Sequence, residues 1–290
     1  MTKRKPIVLL DNLIFPEDPR WRGDKLWFSD VFAKEVVKVD LSGIRKTVIE
    51  VPNQPSGLGW SKDGKLLVVS MIDRKLMILD EDTLSEVADL SSVATYHCND
   101  MVVDDFGRAY VGNFGGPVTK DDSPLIPANL ILIDTNYQVS IAATDLLMPN
   151  GVVITPDGKT LIVAESFGDR LTAFDINENG TLTGRRIWAT FDSHPDGICI
   201  DVENHIWVAT IPHRNALGTP GSVLRVKDGG DIVDRIDIDG YIPFACTLGG
   251  PDLKTLFIME SKTTDAEMMD GRNNGRITMI DVDVAGTGSP

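Results

Sequence analysis

The chain has 290 residues, 42% of them hydrophobic, enough to build one large domain or two small ones around a substantial core. With 43 acidic against 28 basic side chains its net charge is −15, which argues against nucleic acid or an anionic membrane as partner, since either calls for a basic face. The same balance suits a protein that gathers carboxylates to hold a cation.

Taken in chain order, Lys3-Arg4-Lys5 leads into PIVLL (6–10), and Asp11 and Asn12 interrupt the apolar run. That run is too short for a signal peptide, and no later stretch approaches a membrane span, so a cytoplasmic protein is expected. From Glu17 a unit begins, EDPRWRGDKLWFSDV: a strand, a tight turn and a second strand. It returns as SGLGWSKDGKLLVVSM from Ser56, NDMVVDDFGRAYVGNF from Asn99, NGVVITPDGKTLIVAES from Asn150, DGICIDVENHIWVATI from Asp196 and ACTLGGPDLKTLFIMES from Ala245. The starts are roughly 40 to 50 residues apart, the period of a four-stranded propeller blade. A third strand follows each unit and mostly ends on a carboxylate, as in EVVKVDL, KLMILDE, LILIDT, RLTAFDI and RITMIDV.

Helical periodicity is nearly absent. The last unit runs out after its third strand, at Val284, so PIVLL is predicted to supply the missing outer strand. The expected fold is all-β: a six-bladed β-propeller, one domain over 1–290, closed by its N-terminal strand so that no sheet edge is left open. A β-sandwich would give no reason for a recurring unit.

Aligned on the turn, the residues opening the innermost strands are Glu17, Ser56, Asn99, Asn150, Asp196 and Ala245. Innermost strands line the central channel, so these positions form a ring at one of its mouths. Glu17, Asn99, Asn150 and Asp196 offer side-chain oxygens suited to a hard cation. Asn and Asp before Gly also occur at strand starts for local reasons. Such reasons could cover Asn150 and Asp196 singly; they cover Glu17 poorly, and Asn99 is followed by Asp100.

The links between second and third strands lie on this same face and are long: 113–129, 211–222 and 261–275. They are expected to wall or cover a pocket. Cys98, Cys199 and Cys246 have no metal-type spacing and fall in apolar stretches, so they are read as small buried side chains.

The pieces PEDPRW, CND, MPNGVVITPDGKTLIVAES and HPDGICID, in this order and at blade spacing, are similar to the regucalcin/gluconolactonase (senescence marker protein) family of six-bladed propellers. The resemblance implies one divalent metal ion held by Glu17, Asn150 and Asp196, with Asn99 near the metal or the substrate. Calcium comes first, and zinc, manganese, magnesium or iron are the alternatives. It also implies hydrolysis of a small-molecule lactone. One position departs: members acting on sugar lactones often carry Arg two residues before the Asn, where this chain has His97. His97 is read either as a substrate contact or as a packed strand-end histidine.

Lactone opening needs a polarised carbonyl and an activated water, and a divalent ion can serve both needs. Asp196, entered through Pro195 and expected at the metal, is the candidate general base. A metal-dependent esterase or phosphotriesterase would use the same site. A non-catalytic binding propeller would need no converging oxygens.

Overall fold

The computed structural model describes residues 5–118, 125–213, 220–263 and 273–288. Six four-stranded antiparallel sheets stand in a ring, each built from strands consecutive in the chain except the last. The innermost strands are Pro16–Arg22, Pro55–Trp60, Cys98–Val103, Pro149–Ile154, His194–Ile200 and Ile242–Gly249. Each packs on the innermost strand of the next blade, and the sixth packs on the first.

The ring closes as the sequence predicts. Strand Ile7–Leu13 pairs antiparallel with Gly275–Asp281 and becomes the outer strand of the sixth blade, with Ile7 opposite Met279 and Leu13 opposite Gly275. Both ends of the described chain are thereby tied into one sheet.

The apolar core is not central. Six separate clusters each sit between two neighbouring blades. Between the fourth and fifth blades, for example, Val153, Ile162, Leu171 and Trp188 meet Ile198, Ile206 and Val208. Each sheet is therefore apolar on both faces, which accounts for the unbroken apolar runs at 66–69 and 161–164 within the second strands Leu66–Ser70 and Thr160–Glu165. The cysteines lie in this annular core; Cys199 and Cys246 share an S–H···S hydrogen bond at 3.9 Å and form no disulfide, and burial pushes the Cys98 thiol up to about 12. Cys98 is thus no nucleophile.

With the axis left to the innermost strands, glycine decides how closely they approach. A Cβ on Gly57 would meet Met101 N at 2.6 Å, one on Gly151 would meet Ile198 N at 2.5 Å, and one on Gly197 would meet the Cα of Ala245 at 2.6 Å. None of the three has positive φ, whereas Gly158 does (70°), in the Thr155–Thr160 turn. Asn150-Gly151 and Asp196-Gly197 are therefore sites of close backbone approach, and the turn belongs to Asp157-Gly158. Among the described residues no helix is long and apolar enough to cross a membrane.

Candidate functional site

Every innermost strand carries a β-bulge near its start: between Glu17 and Arg20, Pro55 and Leu58, Cys98 and Met101, Pro149 and Val152, Pro195 and Ile198, and Pro243 and Ala245. A bulge twists the strand and re-aims its side chains. In five blades the residue leading into it is a proline (Pro16, Pro55, Pro149, Pro195, Pro243), at a place where the sheet does not need its missing N–H. In the first five blades the next residue is Glu17, Ser56, Asn99 (after Cys98 instead of a proline), Asn150 or Asp196. In the sixth blade the bulge is shifted by one pair. Gly197 packs on Ala245 Cα and Phe244 O as Gly151 packs on Gly197 Cα and Asp196 O, so Phe244 stands level with Asp196 where Ala245 was expected. Phe244 meets Phe15 edge-on at 4.6 Å and closes that side with an apolar ring.

The structure brings Glu17, Asn150 and Asp196 together. Burial pushes the Glu17 carboxyl well above the usual carboxylate range, and the nearby Asp196 and Asp100 push it further. Burial also raises Asp196, helped by Asp100 and opposed by the Asn150 amide beside it. Asp196 is 5% exposed, and its Oδ1 has no hydrogen-bond partner. Asn150 donates its Nδ2 to Ser166 Oγ (3.3 Å) and sets its amide beside the Asp196 carboxyl. Asn99 is buried with its Nδ2 unpartnered.

Three further groups escaped the sequence reading. Asp100 is bound by Arg20, whose Nη2 donates to Asp100 Oδ1 (2.6 Å) and Met101 O (2.5 Å) while its Nε reaches Leu58 O (3.1 Å). One buried guanidinium thus joins the first three blades. Asp18, at φ 50°, accepts from Ser56 Oγ (2.9 Å), and burial followed by Asp100 pushes its carboxyl up. For the two carboxyls the available signal was the acidic residue after two of the ring members, in Glu17-Asp18 and Asn99-Asp100. Among the described residues, four carboxyls with one guanidinium leave excess negative charge, which a divalent ion would relieve. An all-oxygen donor set with an orphaned, buried Asp196 Oδ1 fits such an ion.

The family profile described as SMP-30/Gluconolactonase/LRE-like region matches residues 15–262, which include every one of these groups. The chain belongs to this family. Among SMP-30/gluconolactonase relatives, a 6-deoxy-6-sulfogluconolactonase of Pseudomonas putida is 23% identical across 100% of this chain and 99% of its own length. A lactonase drp35 of Staphylococcus saprophyticus is 26% identical over 65% of this chain and 60% of that protein. The crystal structure of a calcium-binding protein, regucalcin, from Agrobacterium tumefaciens str. C58 shares the fold at TM-score 0.81, with 21% identity and coverage of 99% and 97% of the two chains.

His97, two residues before Asn99, is half-buried. It stacks on Tyr96 (4.1 Å between ring centroids, 20° between planes) and faces Phe114 at 6.3 Å. Burial, followed by the Arg74 charge, lowers its pKa, which favours the neutral ring. Of the long links, residues 119–124, 214–219 and 264–272 fall outside the described residues, and with them about half of the expected cover.

Proposed function

We propose that this chain hydrolyses a lactone with the help of one divalent ion at the channel mouth. The observation that carries the reading is the buried Asp196 carboxyl, one oxygen without a partner, beside Glu17 and Asn150. Two relatives named as lactonases support the substrate class.

Glu17, Asn150 and Asp196 would hold the ion. Their oxygen-only chemistry favours calcium, and the fold neighbour named as calcium-binding agrees with that choice. When bound, the ion polarises the carbonyl as a Lewis acid, where negative charge develops in the transition state. Asp196 accepts the proton of the attacking water. It returns that proton to the ring oxygen as the C–O bond breaks, and a hydroxy acid leaves. Asn99 Nδ2, buried without a partner, donates to a substrate oxygen, and His97 contacts the part of the substrate farther from the reacting carbon. Phe244 keeps water off the sixth-blade side.

The test is metal content and turnover of the chelator-treated protein, reloaded with calcium, on a panel of lactones, carboxylic esters and phosphotriesters. Calcium-dependent opening of at least one lactone is expected, with metal and activity both lost in Glu17→Gln. Preferential turnover of phosphotriesters would move the substrate class. Unchanged metal content and activity in Glu17→Gln would overturn the site.

A further inference from the structure

A second cluster, of different donor chemistry, lies on the same face between the fourth and fifth blades. After strand Thr160–Glu165 the chain makes a single 3₁₀ turn, Ser166–Gly168, and Asp169 follows at φ 50°, a left-handed conformation that Asp tolerates. His194 opens the innermost strand of the fifth blade, and His213 follows that blade's second strand, Ile206–Ile211. Both imidazoles turn a nitrogen to one oxygen: His194 Nδ1 lies 2.8 Å and His213 Nε2 lies 3.1 Å from Asp169 Oδ1. The two rings are 4.3 Å apart, and Phe167 packs edge-on against His194 at 5.6 Å. The lactonase reading uses none of Asp169, His194 or His213.

We propose that Asp169, His194 and His213 form a second metal site, which takes a transition ion such as zinc in preference to calcium. Three ligand atoms from three chain segments lie within 4.8 Å of one another, in the only such group of His, Cys, Asp and Glu among the described residues. Metal–nitrogen and metal–oxygen bonds of about 2.0–2.2 Å bring ligand atoms to within roughly 3 to 3.5 Å, so small side-chain rotations complete the set. Without metal, each imidazole donates a proton to Asp169; with it, those nitrogens give their lone pairs and the protons move to the other ring nitrogens. Two imidazoles and a carboxylate select zinc, cobalt or nickel, whereas the channel ring, all oxygen, selects hard ions. Side-chain exposures of 29% for His194, 31% for His213 and 34% for Asp169 leave room for water to complete the coordination. Ser166 lies between the two sites: its Oγ accepts from Asn150, and its carbonyl oxygen is 2.9 Å from His194 Nδ1.

The experiment uses the full chain, stripped with chelator and saturated with calcium, then titrated with zinc by calorimetry and with cobalt by visible absorption. One equivalent of zinc is expected to bind with the calcium retained, and cobalt is expected to develop ligand-field bands of a low-coordinate site. His213→Ala and Asp169→Asn should each weaken zinc by about 10-fold to 100-fold or more, the scale on which even indirect metal-site partners act. His213→Ala should leave calcium binding and the unfolding temperature unchanged. Asn keeps the left-handed backbone at position 169, so lost binding there cannot be put down to misfolding. The proposal fails if calcium-loaded protein takes up no zinc, or if both variants bind it as the wild type does. It fails equally if zinc binding is lost in Glu17→Gln but kept in His213→Ala, because zinc would then sit in the channel.

Discussion

Two buried carboxylates a few residues apart in space behave in opposite ways. Glu165, fully buried at the end of the fourth blade's second strand, faces Pro149 across the sheet. Burial pushes its carboxyl up, yet the Arg170 guanidinium, Thr172 Oγ1 and Leu147 N–H outweigh that and hold it below the usual carboxylate range. Arg170 binds it through two bonds of 2.9 and 2.8 Å, Leu147 N donates at 2.8 Å, and Arg185 stands at 3.4 Å. Asp196, on the neighbouring blade, has burial and a negative neighbour but, among the described residues, no cation bonded to it and no partner for Oδ1. Burial is nearly the same in the two cases, and the partners differ. The protein completes the first carboxylate with its own arginine; under the proposed function a divalent ion would complete the second.

The comparison breaks most visibly at Asp196→Asn. The substitution keeps an oxygen ligand and nearly the same shape but removes the base, so turnover at saturating metal should fall about 10²-fold or more. Near-wild-type turnover, measured on whichever lactone the native chain opens, would remove Asp196 from that role. The same variant should make the metal-free protein more stable by about 0.5–2 kcal/mol, because it relieves a buried carboxyl with an unpartnered oxygen.

At Glu165 the sign reverses. Glu165→Gln takes away charged hydrogen bonds that the fold itself supplies, and should cost about 2–3 kcal/mol in urea unfolding while metal content stays at the wild-type level. A loss of metal in this variant would mean that the two regions are not separable.

The stabilisation conferred by calcium should depend on pH. Glu17, Asp18 and Asp196 have folded pKa values raised above their unfolded ones, so the metal-free native state binds more protons than the unfolded state. Their stabilisation is present below the unfolded carboxylate range and is lost as pH rises through the raised folded values. Glu165, with its lowered value, runs the other way and loses its contribution as pH falls. Calcium acts only on the channel group, so the rise in unfolding temperature on adding it should be larger at pH 8 than at pH 5. Equal rises would place the ion elsewhere.

The smallest effect is expected at His97→Ala, where the loss of one contact worth about 0.5–1.5 kcal/mol should raise KM roughly 2-fold to 10-fold with little change in kcat. Unchanged KM across the lactone panel would leave His97 as packing for Tyr96 and Phe114.

Much of this was legible in the chain because a propeller writes its geometry as a repeat. The period, the twin apolar strands and the truncated last unit carry the blade number and the closure by PIVLL (6–10), a strand that in the structure spans Ile7–Leu13. The in-phase Glu17, Asn99, Asn150 and Asp196 carry the ring at the channel mouth, since equal offsets from equal turns end at equal heights. Where a unit departs from the pattern, that arithmetic slips, and the shifted bulge in the sixth blade brings in Phe244 instead of Ala245. Contacts between units have no period at all. Arg20 reaching two blades over to Asp100, and Asp169 meeting His194 and His213 from three chain segments, depend on how far neighbouring blades stand apart and how each strand is twisted. Glycines 57, 151 and 197 set that spacing, and their role at the axis became distinguishable from a turn only once their φ angles and neighbours were known. The sequence by itself determined the fold and the oxygen ring, because both rest on local periodicity. Which carboxylates are neutralised by a neighbouring arginine and which keep an unpartnered oxygen was decided by the tertiary structure, because charge acts through space between blades that the chain order keeps far apart.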